Sequence, residues 1–590
     1  MSALAIATSQ AIDPIRLAVI QKQVDHISHQ MGWIMTRTAR SPIFSQSHDF
    51  TCFVATARGE IIAQADGIPI HSGGGGFALK AVLRDFGDDI ADGDVFLLSD
   101  PYEAGGNHLP DWTMIRPVFV DGRFCAFTCN RAHQSDIGGG AAGTYNPEAT
   151  EIFHEGIRLP VLKLVERGLL RRDLMRLLLL NSRCPDLMEG DLSAMQGSIR
   201  IGGERVAAML SELSVDTGLA YFDALLRHGE ARMRAEIRAL PSGTYFGEDG
   251  SDTDCFKKVD VPVRVTLQIR GDEMVFDFTG SSPQIMGFKN SSLANTYSSV
   301  YVAVSTFFDH SLPRNDGLFR PITIIAPEGT VVNARPPAPM TMNTVYPATD
   351  IISACWKALA QAMPERACAG WGKACYGLSS GTDEKGRFFV MYHWHGSSGG
   401  GAVKGRDGFQ CIGLMISLGG LTLPNVEGYE QAYPVRILRQ ELRTDTAGAG
   451  EYRGGAGVDY LCDLSVPTAH AIRSEGVGRP SGFGVNGGLT GAAGVMEVID
   501  RDRGSMPPPQ YGIQHLGPAR IRVLSSAGGG WGDPHARDPQ AVLDDVRDEI
   551  VSAQAAREVY GVVLAADGRA VDEAATAGLR AAARDRIAGS

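Results

Sequence analysis

The sequence predicts a multi-domain α+β protein, and three observations carry that expectation. Apolar residues recur at helical spacing in blocks, strand-like runs of alternating character fill the stretches between, and glycines cluster where those runs turn. The 590 residues, 44% of them apolar, suffice for two to four domains with proper cores. Charged residues make up 21% and the formal net charge is −12. That argues against a nucleic-acid or anionic-membrane partner, since either calls for a basic face. The ten cysteines include no C-x-x-C pair and read as reduced thiols of a cytoplasmic protein. The opening MSALAIATSQAIDP lacks the basic and long apolar parts of a signal peptide, and no apolar run reaches bilayer-spanning length.

Asp13-Pro14 marks a helix start, an N-cap residue followed by proline at the first helical position. Behind it Ile20, Val24, Ile27, Met31 and Ile34 make one apolar stripe to about Arg40. Strands follow in DFTCFVATARGEIIAQA, with Asp49 at the mouth of the first, and His71 precedes the glycine run Gly73–Gly76 and an amphipathic helix. After a central hairpin, helical patterns cover roughly 167–183, 191–213 and 215–239. From about 245 the texture turns to strands, and the last third is glycine-punctuated. The expected division is an N-terminal α+β unit over 1–244, a β-rich unit over 245–350, a glycine-rich unit over 351–537 and a helical tail over 538–590. His393 and His395 alternate as if on one strand face, a spacing better read as structural without a third nearby ligand.

The chemistry concentrates between Ser99 and Gly140. SDPYEAGGNHLPDWT leads into the apolar run Met114–Val120, the turn Asp121-Gly122 and then FCAFTCNRAHQSDIGGG. His108 and Asp111 lie three apart before one strand, and His133 and Asp136 lie three apart after the next. An antiparallel hairpin brings those ends side by side. Two imidazoles and two carboxylates there form a ligand set for Zn, Mn or Fe(II). A lone histidine is more often structural and a lone aspartate more often a turn residue, but two such pairs flanking one hairpin favour a metal. Asp49 is a further carboxylate, either an extra ligand or a strand cap. The phosphate loop GxxxxGK[ST] occurs nowhere in the chain.

Seven ordered motifs, DPYEAGGNHLPDWT, NRAHQSDIGG, EIFHEGIRLP, DFTGSSPQ, APEGTVVNARPPAP, YPVRILRQELRTDTAGAGEYRGGAG and SAGGGWGDP, resemble the hydantoinase B/oxoprolinase family from about residue 13 to 536. The resemblance implies a subunit of an ATP-dependent cyclic amide hydrolase acting on a hydantoin, oxoproline or lactam. It also implies a hetero-oligomer with a hydantoinase A-type partner of actin-like ATPase fold, which would bind the ATP. It carries the metal ligands onto Asp49, His108, Asp111 and His133. Asp136 then moves behind the ligands, and Asp136, Glu155 or His71 would orient or deprotonate water. Asn107 departs from the family pattern beside His108. The same family includes metal-bearing subunits of acetone and acetophenone carboxylases, so a ketone carboxylase subunit is the alternative expectation.

Overall fold

The computed structural model describes residues 12–588 apart from 66 and 72. The first helix, Pro14–Thr38, begins where Asp13 accepts a hydrogen bond from the Ile15 amide, and its stripe Ile20, Val24, Ile27, Met31 and Met35 is buried. It lies on a seven-stranded sheet built from β1 (Phe50–Thr56), β2 (Ile61–Gln64), β3 (Val95–Leu98), β4 (Asp111–Val120), β5 (Arg123–His133), β6 (Leu162–Glu166) and β7 (Leu169–Leu170). Their spatial order is β2-β1-β5-β4-β3-β6-β7, with every pairing antiparallel.

Both faces of this sheet are covered, so its central strands turn apolar side chains to both sides. Cys52, Val54, Met114 and Ala126 face the first helix and the helix Pro185–Leu213, whereas Phe53, Ala55, Ile115 and Phe127 face the helix Gly75–Phe86. The β4–β5 hairpin turns at Asp121-Gly122, where φ is 50° and 78°. Two successive positive φ values are what a two-residue turn requires to match strand twist, and an Asp-Gly pair supplies them. The register places Asp111 directly opposite His133 at the far end.

A second sheet, β8 (Gly243–Thr253), β9 (Lys258–Arg270), β10 (Glu273–Asp277) and β11 (Ile322–Ile325), has the order β11-β10-β9-β8. The helix Ala348–Ala362 packs on β8 so closely that a Cβ on Gly247 would stand 1.9 Å from the Ala354 carbonyl oxygen. That helix is thereby tied to this sheet.

The described residues form two more sheets. One orders Phe388–Tyr392, Leu378–Thr382, Thr468–Arg473 and Tyr511–Leu516; the other orders Val435–Leu442, Val458–Leu464, Ala519–Leu524, Val495–Asp500 and Gly504–Met506. Between them, extended glycine segments lie backbone to backbone. Gly455 N donates to Gly400 O at 2.8 Å and Gly528 N to Gly455 O at 2.9 Å. A Cβ on Gly528 would sit 1.9 Å from Gly400 O, so no side chain fits there.

The strand Phe388–Tyr392 stops before His393, which corrects the shared-face expectation for His393 and His395. His393 Nε2 is 2.9 Å from Ser379 Oγ, while His395 Nε2–H donates to the Pro424 carbonyl at 3.0 Å. The tail does not stand apart either: Val542, Ile550, Val551 and Tyr560 share a core with Ala449 and Ala456. No described helix is long and apolar enough to cross a membrane.

Candidate metal centre

His108, Asp111 and His133 meet at the open end of the hairpin, each offering a ligand atom within 4.8 Å of the others. His108 Nε2 lies 2.8 Å from Asp111 Oδ1, and His133 Nδ1 lies 3.2 Å from the same oxygen. All three side chains are buried.

The proton positions decide what this cluster can do. His108 Nδ1 is 2.5 Å from the Thr341 carbonyl, which only accepts, so that nitrogen carries the hydrogen and Nε2 presents its lone pair. The Tyr392 hydroxyl donates to the Gly143 carbonyl at 3.1 Å, so it accepts from His133 Nε2–H at 3.2 Å. That leaves the His133 Nδ1 lone pair turned toward Asp111.

Burial works to raise the Asp111 carboxyl, but the polar surroundings made by the close His108 and His71 rings outweigh it and hold it well below the usual range. Three lone-pair donors thus converge with their protons committed elsewhere, an arrangement that a divalent cation satisfies. His108 Nε2 and Asp111 Oδ2 are buried without a hydrogen-bond partner. Such orphaned atoms need an explanation, and a metal fits this donor set.

Two further side chains border the three. His71 Nε2 lies 3.3 Å from Asp111 Oδ2 and 3.6 Å from Asp49 Oδ1. Burial lowers the His71 pKa despite the opposing pull of Asp111 and Asp49, which favours the neutral ring. Asp49 comes from the start of β1, and its carbonyl accepts the His133 amide at 3.1 Å, so backbone pairing fixes its place beside the cluster.

The structure does not bring Asp136 to this group. Its Oδ1 accepts the amides of Gly138 at 3.2 Å and Arg183 at 2.8 Å, and its Oδ2 accepts the Gly143 amide and the Arg183 guanidinium at 3.1 Å each. With those oxygens engaged, Asp136 secures a loop.

Glu155 likewise spends both oxygens, on the amides of Met340 at 2.9 Å and Thr341 at 2.7 Å. Burial pushes its pKa up to about 8 against the pull of those two N–H donors. Glu155 therefore holds the backbone at Met340 and Thr341, the residue whose carbonyl faces His108 Nδ1.

Arg131 performs a similar task. Its guanidinium donates to Thr113 Oγ1 at 2.7 Å, Asn107 Oδ1 at 2.9 Å and the carbonyls of His71, Gly74 and Gly105. Asn107 Nδ2 in turn donates to the Ile70 carbonyl at 2.8 Å, tying the His108 loop to the segment that carries His71. A Cβ on Gly106 would stand 1.9 Å from Ser99 O, which is why that loop turns on glycine.

Sequence reasoning missed Thr341, Thr144, Tyr145, Tyr392 and Arg473. Tyr145 stacks on His133 with ring centroids 5.7 Å apart, and Tyr392 reaches in from the third sheet. Only folding brings these segments together.

The architecture and cluster define a multi-domain α+β protein whose candidate metal site forms where three parts of the chain meet. The chain belongs to the hydantoinase B/oxoprolinase family, whose model matches residues 13–534. It is 35% identical to the beta component of the caprolactamase of Pseudomonas jessenii over 97% of this chain and 99% of that one. A protein assigned as the B component of a D-/L-hydantoinase in Pseudomonas sp. strain NS671 is 30% identical, with 96% and 98% covered. The crystal structure of ATP-dependent caprolactamase from P. jessenii superposes with a TM-score of 0.89 at 34% identity, covering 97% of this chain and 100% of that one. A nucleotide-free acetone carboxylase structure superposes with a TM-score of 0.85 at 22% identity, covering 98% and 84%, and shows the shared fold alone.

Proposed function

We propose that this chain is the metal-binding subunit of an ATP-dependent cyclic amide hydrolase, with ATP used by a hydantoinase A-type partner. The observation that carries the reading is the convergence of His108, Asp111 and His133 with their lone pairs facing inward. End-to-end likeness to a caprolactamase component supports the reaction class.

His108, Asp111 and His133 would hold a divalent ion of the Zn, Mn or Fe(II) kind, and Asp49 would supply the further carboxylate. Such an ion supplies Lewis-acid polarisation of an amide or phosphoryl oxygen. An unactivated amide is a poor electrophile, and phosphorylation of its oxygen by the partner would turn that oxygen into a leaving group.

The chain's own residues then have three tasks. Thr341 and Glu155 keep His108 in one tautomer. Thr144 and Tyr392 do the same for His133. His71, neutral and beside Asp111 and Asp49, would take a proton from an attacking water at its ring nitrogen.

The test is ATP turnover by the chain co-purified with its partner, against lactams, hydantoins and ketones, each with and without bicarbonate. The reading expects stimulation by a lactam or hydantoin without bicarbonate. Stimulation only by a ketone with bicarbonate overturns it in favour of a carboxylase.

A further inference from the structure

Arg473 ends the strand Thr468–Arg473 and carries a second charge to the edge of the cluster. Its guanidinium carbon lies 3.8 Å from the Tyr145 ring centroid, 5.6 Å from that of Tyr392 and 5.9 Å from that of Tyr376. Tyr145 is the ring that stacks on His133, and Tyr392 is the hydroxyl that accepts from it. One aromatic ring therefore separates this cation from a candidate ligand. Arg473 is only 5% exposed.

Its surroundings contrast with those of Arg131, the other buried guanidinium of the site. Arg131 has five oxygen acceptors. Arg473 Nη1 reaches the Met342 thioether at 3.6 Å, and the Tyr145 hydroxyl lies beside the guanidinium; among the described residues no carboxylate pairs with it. The three phenols stay neutral, since burial raises all of them further above their ordinary value. The Tyr376 hydroxyl is buried and has no hydrogen-bond partner. A buried cation in neutral company is costly, and an anion relieves that cost.

We propose that Arg473 and the Tyr376 hydroxyl form a subsite for an oxyanion group of the substrate, of the phosphoryl or carboxylate class, beside His133. The proposal rests on the reading of the cluster as the reaction site. A guanidinium suits the task because its planar fork meets two oxygens of such a group at once. Fixing the charged end of the substrate there would leave its reacting carbon toward His108, Asp111 and His71.

The experiment is calorimetric titration of the full chain with inorganic phosphate and, separately, acetate, both after chelation of metal and after reloading. At least one anion should bind to the metal-free chain, and the tighter of the two assigns the phosphoryl or carboxylate source. Arg473→Met should weaken that binding about tenfold or more, the value of one charge-assisted hydrogen bond. Tyr376→Phe removes only an unpartnered hydroxyl, so it keeps the test valid if the arginine variant does not fold, and it should weaken binding about threefold or more. Failure of both anions to bind overturns the proposal, as does unchanged affinity in Tyr376→Phe and in any Arg473→Met that folds. A chain that takes up metal but no anion overturns the subsite alone. Arginine-dependent anion binding in a chain that takes up no metal supports the subsite and counts against the metal reading alone.

Discussion

Asp111 and His133 stand directly opposite each other across the β4–β5 hairpin, with Asp111 Oδ1 3.2 Å from His133 Nδ1. Backbone register alone sets that proximity, because paired positions in an antiparallel ladder bring their side chains to the same face. Adding His108 needs only the short turn before β4, and adding Asp49 needs β1 to pair with β5. The site is therefore a property of the sheet, and its variants should separate ligand loss from fold loss.

Asp49→Asn and Asp136→Asn make the cleanest contrast. Asp49 borders the cluster, whereas Asp136 is held by Arg183 and backbone amides. Asp49→Asn should lose metal affinity with a modest change in melting temperature. Asp136→Asn should keep metal and lose about 1–3 kcal/mol of stability, since buried amides lose their acceptor. Metal titration and thermal melts on both variants check this, and the reverse pattern would return Asp136 to the ligand set.

Glu155→Gln replaces one acceptor oxygen with a donor facing the Met340 and Thr341 amides. The backbone at Thr341 should shift and loosen the hold of its carbonyl on His108 Nδ1. Metal affinity should fall about 10–100-fold, the usual effect of losing a group that orients a ligand. Competition with a chromogenic chelator measures it; an unchanged affinity would separate Glu155 from the site.

A second buried network predicts acid sensitivity. Glu475 accepts from Lys289 Nζ and Ser251 Oγ at 2.5 Å each and from the Tyr511 hydroxyl at 2.7 Å. Burial works to raise its carboxyl, but Lys289 and Lys373 overcome that and hold it below its ordinary value. Its contribution is thus fully present above the unfolded value of about 4.3 and is lost as pH falls through the lower folded value. Glu475→Gln should cost about 3–5 kcal/mol at neutral pH, the range for breaking a buried pair. Urea denaturation at a series of pH values should show that gap narrowing as the solution becomes more acid.

The isolated chain should neither bind nor hydrolyse ATP measurably, because it has no phosphate-cradling loop with its lysine. Calorimetry with nucleotide checks this, and tight binding would remove the need for an A-type partner.

The hairpin was legible because its signals are local: alternating apolar residues on either side of Asp121-Gly122, with His108, Asp111 and His133 at fixed offsets from the strand ends. The pairing of Asp136 with Arg183 was hidden because Arg183 lies 47 residues later, in a segment with no feature that announces the contact. Thr341, Tyr392 and Arg473 were invisible for the same reason, since spacing along the chain says nothing of contacts between units. The helix Ala348–Ala362 folds back onto β8, a tertiary preference that its own periodicity does not reveal. His393 looked like a strand residue by alternation, but the strand ends at Tyr392, whose hydroxyl serves His133.

The most direct measurement is elemental analysis of the purified full chain beside His133→Ala and His108→Ala. The wild-type chain should carry one divalent ion per molecule, and both variants should be empty while retaining the wild-type circular dichroism spectrum. A wild-type chain that takes up no ion when offered Zn, Mn or Fe(II), or variants that keep a full complement, would contradict the assignment.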